Sequence, residues 1–181
     1  MTYPALFVKI KLWQADSLAK TLTKRRYAIM ADTKKILEGL QIIVTDLAQQ
    51  ADGHAIQSKI FAAQGFSKLG AKYAEHAAEE RGYVDKCIDR ILDLGGEVKN
   101  GAKKEEPVFT DIVEYIKYDL QTSKDGLAWL KTLVEEARDD YKTFDFLKVY
   151  YQDEEEDLYW DEQQLELIEK IGLQNWLNQQ L

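Results

Sequence analysis

Apolar side chains along most of this chain recur at alternating spacings of three and four residues, the repeat of one face of an α-helix. The first such stretch predicts a helix, α1, that begins at the N-cap signal Asp32–Thr33 and ends near Gly65. The second predicts α2, which ends at the glycine pair Gly95–Gly96. The third, α3, carries its apolar stripe over residues 112–137, and the fourth, α4, over residues 146–168. The pattern therefore predicts four long amphipathic helices.

The connections between these helices indicate how they pack. Short joints link α1 to α2 and α3 to α4, whereas residues 95–107 form a long polar connection between α2 and α3, which can cross the length of a four-helix bundle. A short tail, residues 173–181, follows α4 after Gly172, and no segment has the pattern of a strand domain. We therefore expect an all-α bundle over residues 32–181, preceded by a less regular, more basic N-terminal extension over residues 1–31.

The composition agrees with a helical domain and excludes several classes of function. The chain has 181 residues, of which 45% are hydrophobic and 31% charged, and only 2 are proline. A net charge of −8 argues against a nucleic-acid-binding surface and suits a protein that handles cations. The single cysteine, Cys87, rules out an intramolecular disulfide and a cysteine-based zinc site. Because no apolar window is long enough for a membrane span and no signal-peptide pattern is present, we expect a cytoplasmic protein.

Two pairs of polar residues lie on the otherwise apolar faces of α2 and α4. Glu80 with Tyr83, and Glu154 with Asp157, have i, i+3 spacing, which places both side chains of a pair on one helix face. A carboxylate on a buried face is costly unless it is paired or binds a cation. Carboxylate and phenolate oxygens are hard ligands, suited to iron, manganese or magnesium. Two such pairs on facing helices predict a cation site in the core of the bundle.

Three segments of the chain resemble bacterioferritin. The run "WDEQQLELIEKIGLQNWLNQQL", Trp160 to Leu181, is similar to the end of that family, including the entry into a short fifth helix. The run "IDRILDLGG", Ile88 to Gly96, is similar to the end of its second helix, and "YDLQTSKDG", Tyr118 to Gly126, resembles its third helix more loosely. The resemblance covers residues 32–181. It implies a ferritin-like four-helix bundle with a long crossover between α2 and α3, a short C-terminal fifth helix and a role in iron storage.

Position by position, the resemblance implies an incomplete di-iron centre. Glu80 and Glu154 fall on the glutamates of the family's two E-x-x-H motifs, but Tyr83 and Asp157 replace the histidines. The single glutamate of the family's third helix falls on Ser123. The resemblance therefore implies the fold, while the usual ferroxidase ligand set is not reproduced.

Other positions bear on the same region. The single glutamate of the family's first helix falls on Leu47 by the apolar phase, or on Asp46 if the helix starts are aligned; we follow the phase, because it decides which side chains reach the core. Arg81 occupies the position of the haem-ligating methionine, so we expect no haem. His54 lies on the inner phase of α1 and is a candidate ligand, and His76, one turn before the first glutamate, is a candidate transit position for iron.

Two interpretations of the centre stay open. The carboxylates are either remnants that are protonated or hydrogen-bonded, or they belong to an altered site that still binds a metal. The candidate metal ligands of the second interpretation are Glu80, Glu154, Asp157, Tyr83 and His54.

Three functional hypotheses follow. The first is an iron-storage subunit of a symmetric oligomer, for which the resemblance implies a cage of about 24 subunits; Fe(II) is then oxidised by dioxygen at this chain's own centre or at that of a catalytic partner subunit. The second is a ferritin-like metal-dependent oxidase or oxygenase that acts on a small molecule. The third is a non-catalytic structural protein that has kept only the fold.

Overall fold

The computed structural model describes residues 33–181, and Ile36–Leu181 form one compact unit. This part of the chain is helical and contains no strand, which confirms the predicted all-α, ferritin-like bundle. The predicted extension, residues 1–31, lies outside the described residues. The helices are α1 over residues 33–63, α2 over Ser67–Asp93, α3 over Ile112–Glu136, α4 over Tyr141–Ile171 and the short α5 over Leu173–Gln179.

Side-chain caps and one glycine define the ends of the later helices. The carboxylate of Asp111 accepts a hydrogen bond from the backbone N–H of Glu114 at 2.9 Å and caps α3. Asp140 caps α4 in the same way, accepting from the N–H of Thr143 at 3.3 Å. Between α4 and α5 the chain turns at Gly172, whose φ of 81° favours glycine, because a Cβ would be strained in that conformation. These signals place the short fifth helix where the sequence predicts it.

Helix α1 contains a π-helical turn at Ile43–Leu47, which the sequence analysis does not predict. A π turn holds about one more residue than an α turn, so the register on either side of it differs by one residue. The two alignments of the first helix, to Asp46 from the helix start and to Leu47 from the apolar phase, differ by the same one residue. Leu47 is buried and Asp46 is exposed, so the phase identifies the side chain that reaches the core.

The core of the bundle consists of two apolar clusters. The first cluster includes Leu40, Leu47, Tyr83, Leu130 and Tyr150, and the second includes Phe61, Tyr73, Ile116 and Trp176. Helix α1 packs mainly against α2, and α3 packs mainly against α4. Along each of the four long helices, the inward-facing residues between the two clusters include buried or half-buried polar side chains. The bundle therefore contains a polar layer between two apolar layers.

Helix α5 lies against the end of the bundle. The indole of Trp176 is fully buried, and its Nε1–H donates a hydrogen bond to Oε1 of Gln164 at 3.1 Å. The backbone N–H of Lys68, at the start of α2, donates to the carbonyl of Gln180 at 3.1 Å. The described helices include none that is long and apolar enough to cross a membrane.

Candidate metal centre

Each of the four long helices contributes to the polar layer. The side chains involved lie within about three turns on every helix, because they occupy the same inward face at spacings of three and four residues. They are His54 from α1; Tyr73, His76 and Glu80 from α2; Asp119 and Ser123 from α3; and Glu154, Asp157 and Asp161 from α4.

The imidazole of His54 bridges two carboxylates in the middle of this layer. Its Nδ1 lies 2.9 Å from Oε2 of Glu80, and its Nε2 lies 3.0 Å from Oδ1 of Asp119. All three residues are at most 5% exposed. Burial alone lowers the pKa of His54, but the charges and hydrogen bonds of Glu80 and Asp119 outweigh it and raise that pKa well above 6.5. The pair of carboxylates thus holds an internal imidazolium cation.

A second group in the layer has polar atoms without partners. Nε2 of His76 and Oδ1 of Asp161 are buried and make no hydrogen bond with the described residues, whereas the hydroxyl of Tyr73 faces the carboxylate of Asp119. Nε2 of His76 lies 3.2 Å from Oδ1 of Asp157, but the two groups are not oriented as a hydrogen bond. Since buried polar atoms in native proteins are nearly always satisfied, this group calls for an explanation.

The pKa values of the ionisable groups in this region are shifted in different directions. Burial, followed by the positive charges of Lys72 and His54, lowers the pKa of His76 to about 3, so its imidazole is neutral. Burial, followed by the charge of Asp119, raises the pKa of Asp161. Burial also raises the pKa of Asp157, to about 7. The carboxyl groups of Asp157 and Asp161 therefore resist ionisation.

The remaining predicted ligands lie at the edge of the first apolar cluster. Burial, followed by the charges of Glu80 and Asp157, raises the pKa of Glu154 to about 8, and Tyr150 hydrogen-bonds to it. The ring of Tyr83 packs against Tyr150 with 4.5 Å between their centroids. Among the residues that the structure describes, no three His, Cys, Asp or Glu side chains already stand in ligand geometry.

The structure therefore brings together some of the predicted residues and separates others. His54 and Glu80 are in direct contact, and Asp157 adjoins His76 rather than Glu80. Tyr83 packs against the ring of Tyr150, and its hydroxyl is hydrogen-bonded to Asp153 rather than to Glu80. Arg81, at the position of the haem methionine, is exposed and forms an ion pair with Asp52.

Two buried carboxylates of the layer, Asp119 and Asp161, were missed by the sequence analysis. On α3 the apolar spacing passes through Leu120, although Asp119 also follows the buried Ile116 at a spacing of three. Asp161 lies in the acidic run of α4, which is typical of a solvated face. Its spacing of four residues from Asp157 is the one feature of the sequence that places Asp161 on the inward face of α4.

A cleft connects solvent with the polar layer. It has a volume of about 540 Å³, lies between α1, α3 and the connection that precedes α3, and is lined by His54 and Asp119 among others. A second cleft of about 410 Å³ is lined by Glu154 and shares Asp46, Gln50 and Thr122 with the first. Small solutes can therefore approach the buried carboxylates from the groove between α1 and α3.

Comparisons with known proteins agree with this architecture. The model of the ferritin-like domain family matches residues 37–171. A bacterial ferritin of Neisseria meningitidis serogroup B is 35% identical over 156 residues, which cover 84% of this chain and all of that relative. Bacterial ferritins of Synechocystis and Pseudomonas aeruginosa are 32% and 31% identical, over 87% and 81% of this chain and over 99% and 97% of their own lengths.

Proposed function

This chain belongs to the ferritin-like family, and on that premise we propose that it is an iron-binding subunit of a storage shell of the bacterial-ferritin type, with an altered metal centre. The observation that carries the proposal is the polar layer of carboxylates and histidines in the middle of a bundle that spans nearly the whole length of relatives named bacterial ferritin. Fe(II) would enter this layer as substrate or cargo.

The proposed metal site keeps two of the family's four glutamates and neither of its histidines. Glu80 and Glu154 supply carboxylates, and a leucine and a serine stand at the other two glutamate positions, Leu47 and Ser123. Oxygen-rich ligands of this kind suit iron. The residues proposed to take part are Glu80, Glu154, Asp157, Tyr83 and His54. We further propose that the shell lacks haem, because Arg81 is engaged with Asp52 where a ligating methionine would be needed.

Self-association is part of the proposal. Exposed apolar side chains on the outer faces of the helices offer contact surfaces for copies of the chain. They include Ile42, Ile56, Leu92, Tyr141, Val149 and Tyr159. A symmetric shell would bury such side chains between subunits.

Size and iron retention test the storage proposal together. The purified chain is expected to elute at hundreds of kilodaltons, as judged by light scattering, and to keep iron after anaerobic Fe(II) loading, exposure to air and gel filtration. An isolated dimer that retains no iron contradicts storage. Absorbance of Fe(III) during loading reports oxidation by this chain, and shell formation without oxidation assigns that step to a catalytic partner subunit.

The ligand assignment has its own test. The double variant Glu80→Gln/Glu154→Gln should lower the amount of iron bound and the rate of any oxidation, while Glu156→Gln, the same chemical change at an exposed position of α4, should leave both unchanged. Unchanged iron chemistry in the double variant contradicts the assignment of Glu80 and Glu154.

The cleft beneath the connection to α3 favours a second candidate, an oxidase or oxygenase that acts on a small molecule. Its volume of about 540 Å³ suits a ligand of moderate size, and Ile56 and Tyr118 contribute to its lining. Shell size separates the two candidates, because a storage protein needs an enclosed cavity and an enzyme of this kind does not. Absence of both iron retention and oxidation leaves the structural, non-catalytic role.

A further inference from the structure

Two buried polar atoms of the core, Nε2 of His76 and Oδ1 of Asp161, make no hydrogen bond with any residue that the structure describes. The residues that carry them are 3% and 2% exposed. Buried polar atoms in native proteins are nearly always satisfied, so the two atoms together indicate a missing ligand.

These atoms lie on neighbouring side chains of α2 and α4. The ring centroids of Tyr73 and His76 are 5.6 Å apart, and each lies 5.9 Å from the ring of Trp160. Asp161 follows Trp160 directly, and Asp157 lies one turn before Asp161 on the same face of α4. The unpartnered atoms therefore border one region between the two helices.

We propose that His76, Asp157 and Asp161 bind a divalent first-row transition-metal ion, at a place one helical turn away from Glu80 and Glu154. One imidazole nitrogen and two carboxylates form a mixed donor set of the kind that Fe(II), Mn(II), Co(II) and Zn(II) accept. The site goes beyond the storage proposal, because it uses two residues outside the ligand set assigned there.

The contact between His76 and Asp157 has the separation expected of two ligands of one ion. Ligand atoms lie about 2.0–2.2 Å from such an ion, so two adjacent ligands are roughly 3 Å apart. Nε2 of His76 and Oδ1 of Asp157 are 3.2 Å apart and are not hydrogen-bonded to each other. No three such groups in the described residues stand in ligand geometry beforehand, so binding as proposed requires the side chain of Asp161 to rotate toward the other two.

The charges around the site favour a dication. Carboxylates outnumber cationic side chains around this part of the core. Glu80, Asp119, Asp157 and Asp161 are opposed by His54 and Lys72. Glu79, Asp153 and Glu154 add further negative charge close to Asp157. The ammonium of Lys72 lies 3.6 Å from Oδ1 of Asp157 and is the one side chain that the ion has to displace there. Asp157 is partly exposed beside Lys72, so the ion can reach the site from solvent.

Cobalt(II) titration of the metal-depleted full chain, without oxygen, tests the site through the visible absorbance of the bound ion. His76→Gln and Asp161→Asn should each weaken Co(II) binding at least about tenfold. The matched control is Glu156→Gln, a change of the same kind at an exposed position of α4, which should shift the affinity less than about threefold. Circular dichroism of each variant confirms that it is folded.

Two results of the Co(II) titration would overturn the proposal. If Glu154→Gln removes Co(II) binding and His76→Gln does not, the ion lies at the turn of Glu80 and Glu154 instead. If the folded wild-type chain binds no Co(II), the unpartnered atoms are satisfied by water and the site does not exist.

A second measurement needs no variant. In the folded wild-type complex, proton NMR should show a paramagnetically shifted, exchangeable imidazole N–H signal from a ligating histidine, and its absence contradicts ligation by His76. Light scattering on the same samples keeps the two proposals apart. Small oligomers that bind Co(II) at His76 contradict storage but support this site. A large shell that binds no Co(II) is consistent with storage and contradicts this site.

Discussion

Replacing Glu154 by glutamine should stabilise the metal-free protein in a pH-dependent way. Burial, followed by the charges of Glu80 and Asp157, raises the pKa of Glu154 from 4.5 to about 8. The folded chain therefore holds a proton on this carboxyl at neutral pH, whereas the unfolded chain releases it. A glutamine has nearly the same shape, keeps an oxygen that can accept from Tyr150, and does not require a proton.

The magnitude follows from the two pKa values. Because the folded-state pKa is raised, the folded state binds more protons than the unfolded state between pH 4.5 and about 8, and the free energy of unfolding falls as pH rises through that range. One pH unit corresponds to at most about 1.4 kcal/mol, so the full effect at pH 7 is about 3 kcal/mol. Glu154 is only half-buried, and we therefore expect a gain of about 1–2 kcal/mol at pH 7 and little at pH 5.

Urea denaturation in the presence of a chelator measures this effect. Wild type, Glu154→Gln and the exposed control Glu156→Gln are compared at pH 5, 6 and 7, and the control should stay within about 0.5 kcal/mol of wild type. A gain for Glu154→Gln that is the same at every pH would show that proton uptake is not its cause. A loss of stability at pH 7 would refute the conclusion that this carboxyl is a burden on the apoprotein.

Three further outcomes are expected. Lys72→Met should raise the Co(II) affinity roughly three- to tenfold, because it removes the ammonium 3.6 Å from Asp157, and an unchanged titration would contradict competition for that carboxylate. Trp176→Ala should lower the free energy of unfolding by about 3–5 kcal/mol, since the indole is fully buried; a loss below about 1 kcal/mol in urea melts would mean that α5 is not docked. The thiol of Cys87, whose pKa burial raises to about 12, should react with a thiol reagent only on unfolding, and rapid labelling of the native chain would show that α2 opens.

Most of the fold is predictable from the sequence because its signals are local and repeated. The apolar spacing within each helix, and glycines such as Gly65 and Gly172, are visible without any tertiary information. The π turn at Ile43–Leu47 is different. Nothing in its composition distinguishes it from α-helix, and only the disagreement between two registers, at Asp46 and Leu47, hints at an extra residue.

The site is less predictable, because small phase errors decide which polar residue is buried. On α3, Asp119 and Leu120 are adjacent, and choosing the leucine as the core position hides the carboxylate that contacts His54. On α4, Asp161 is one of many acids, and only packing against α2 separates it from its solvated neighbours. The contact of His54 with Glu80 joins residues 26 positions apart, which no spacing rule within one helix describes.

The bridge that His54 forms between Glu80 and Asp119 bears on whether the chain folds before or after it binds metal. If two buried carboxylates were neutralised only by an external ion, their charges would oppose folding until that ion bound. Here the counter-ion is built into the polypeptide and is present from synthesis. The bundle can therefore fold before any metal arrives, and an ion that binds later meets a finished core.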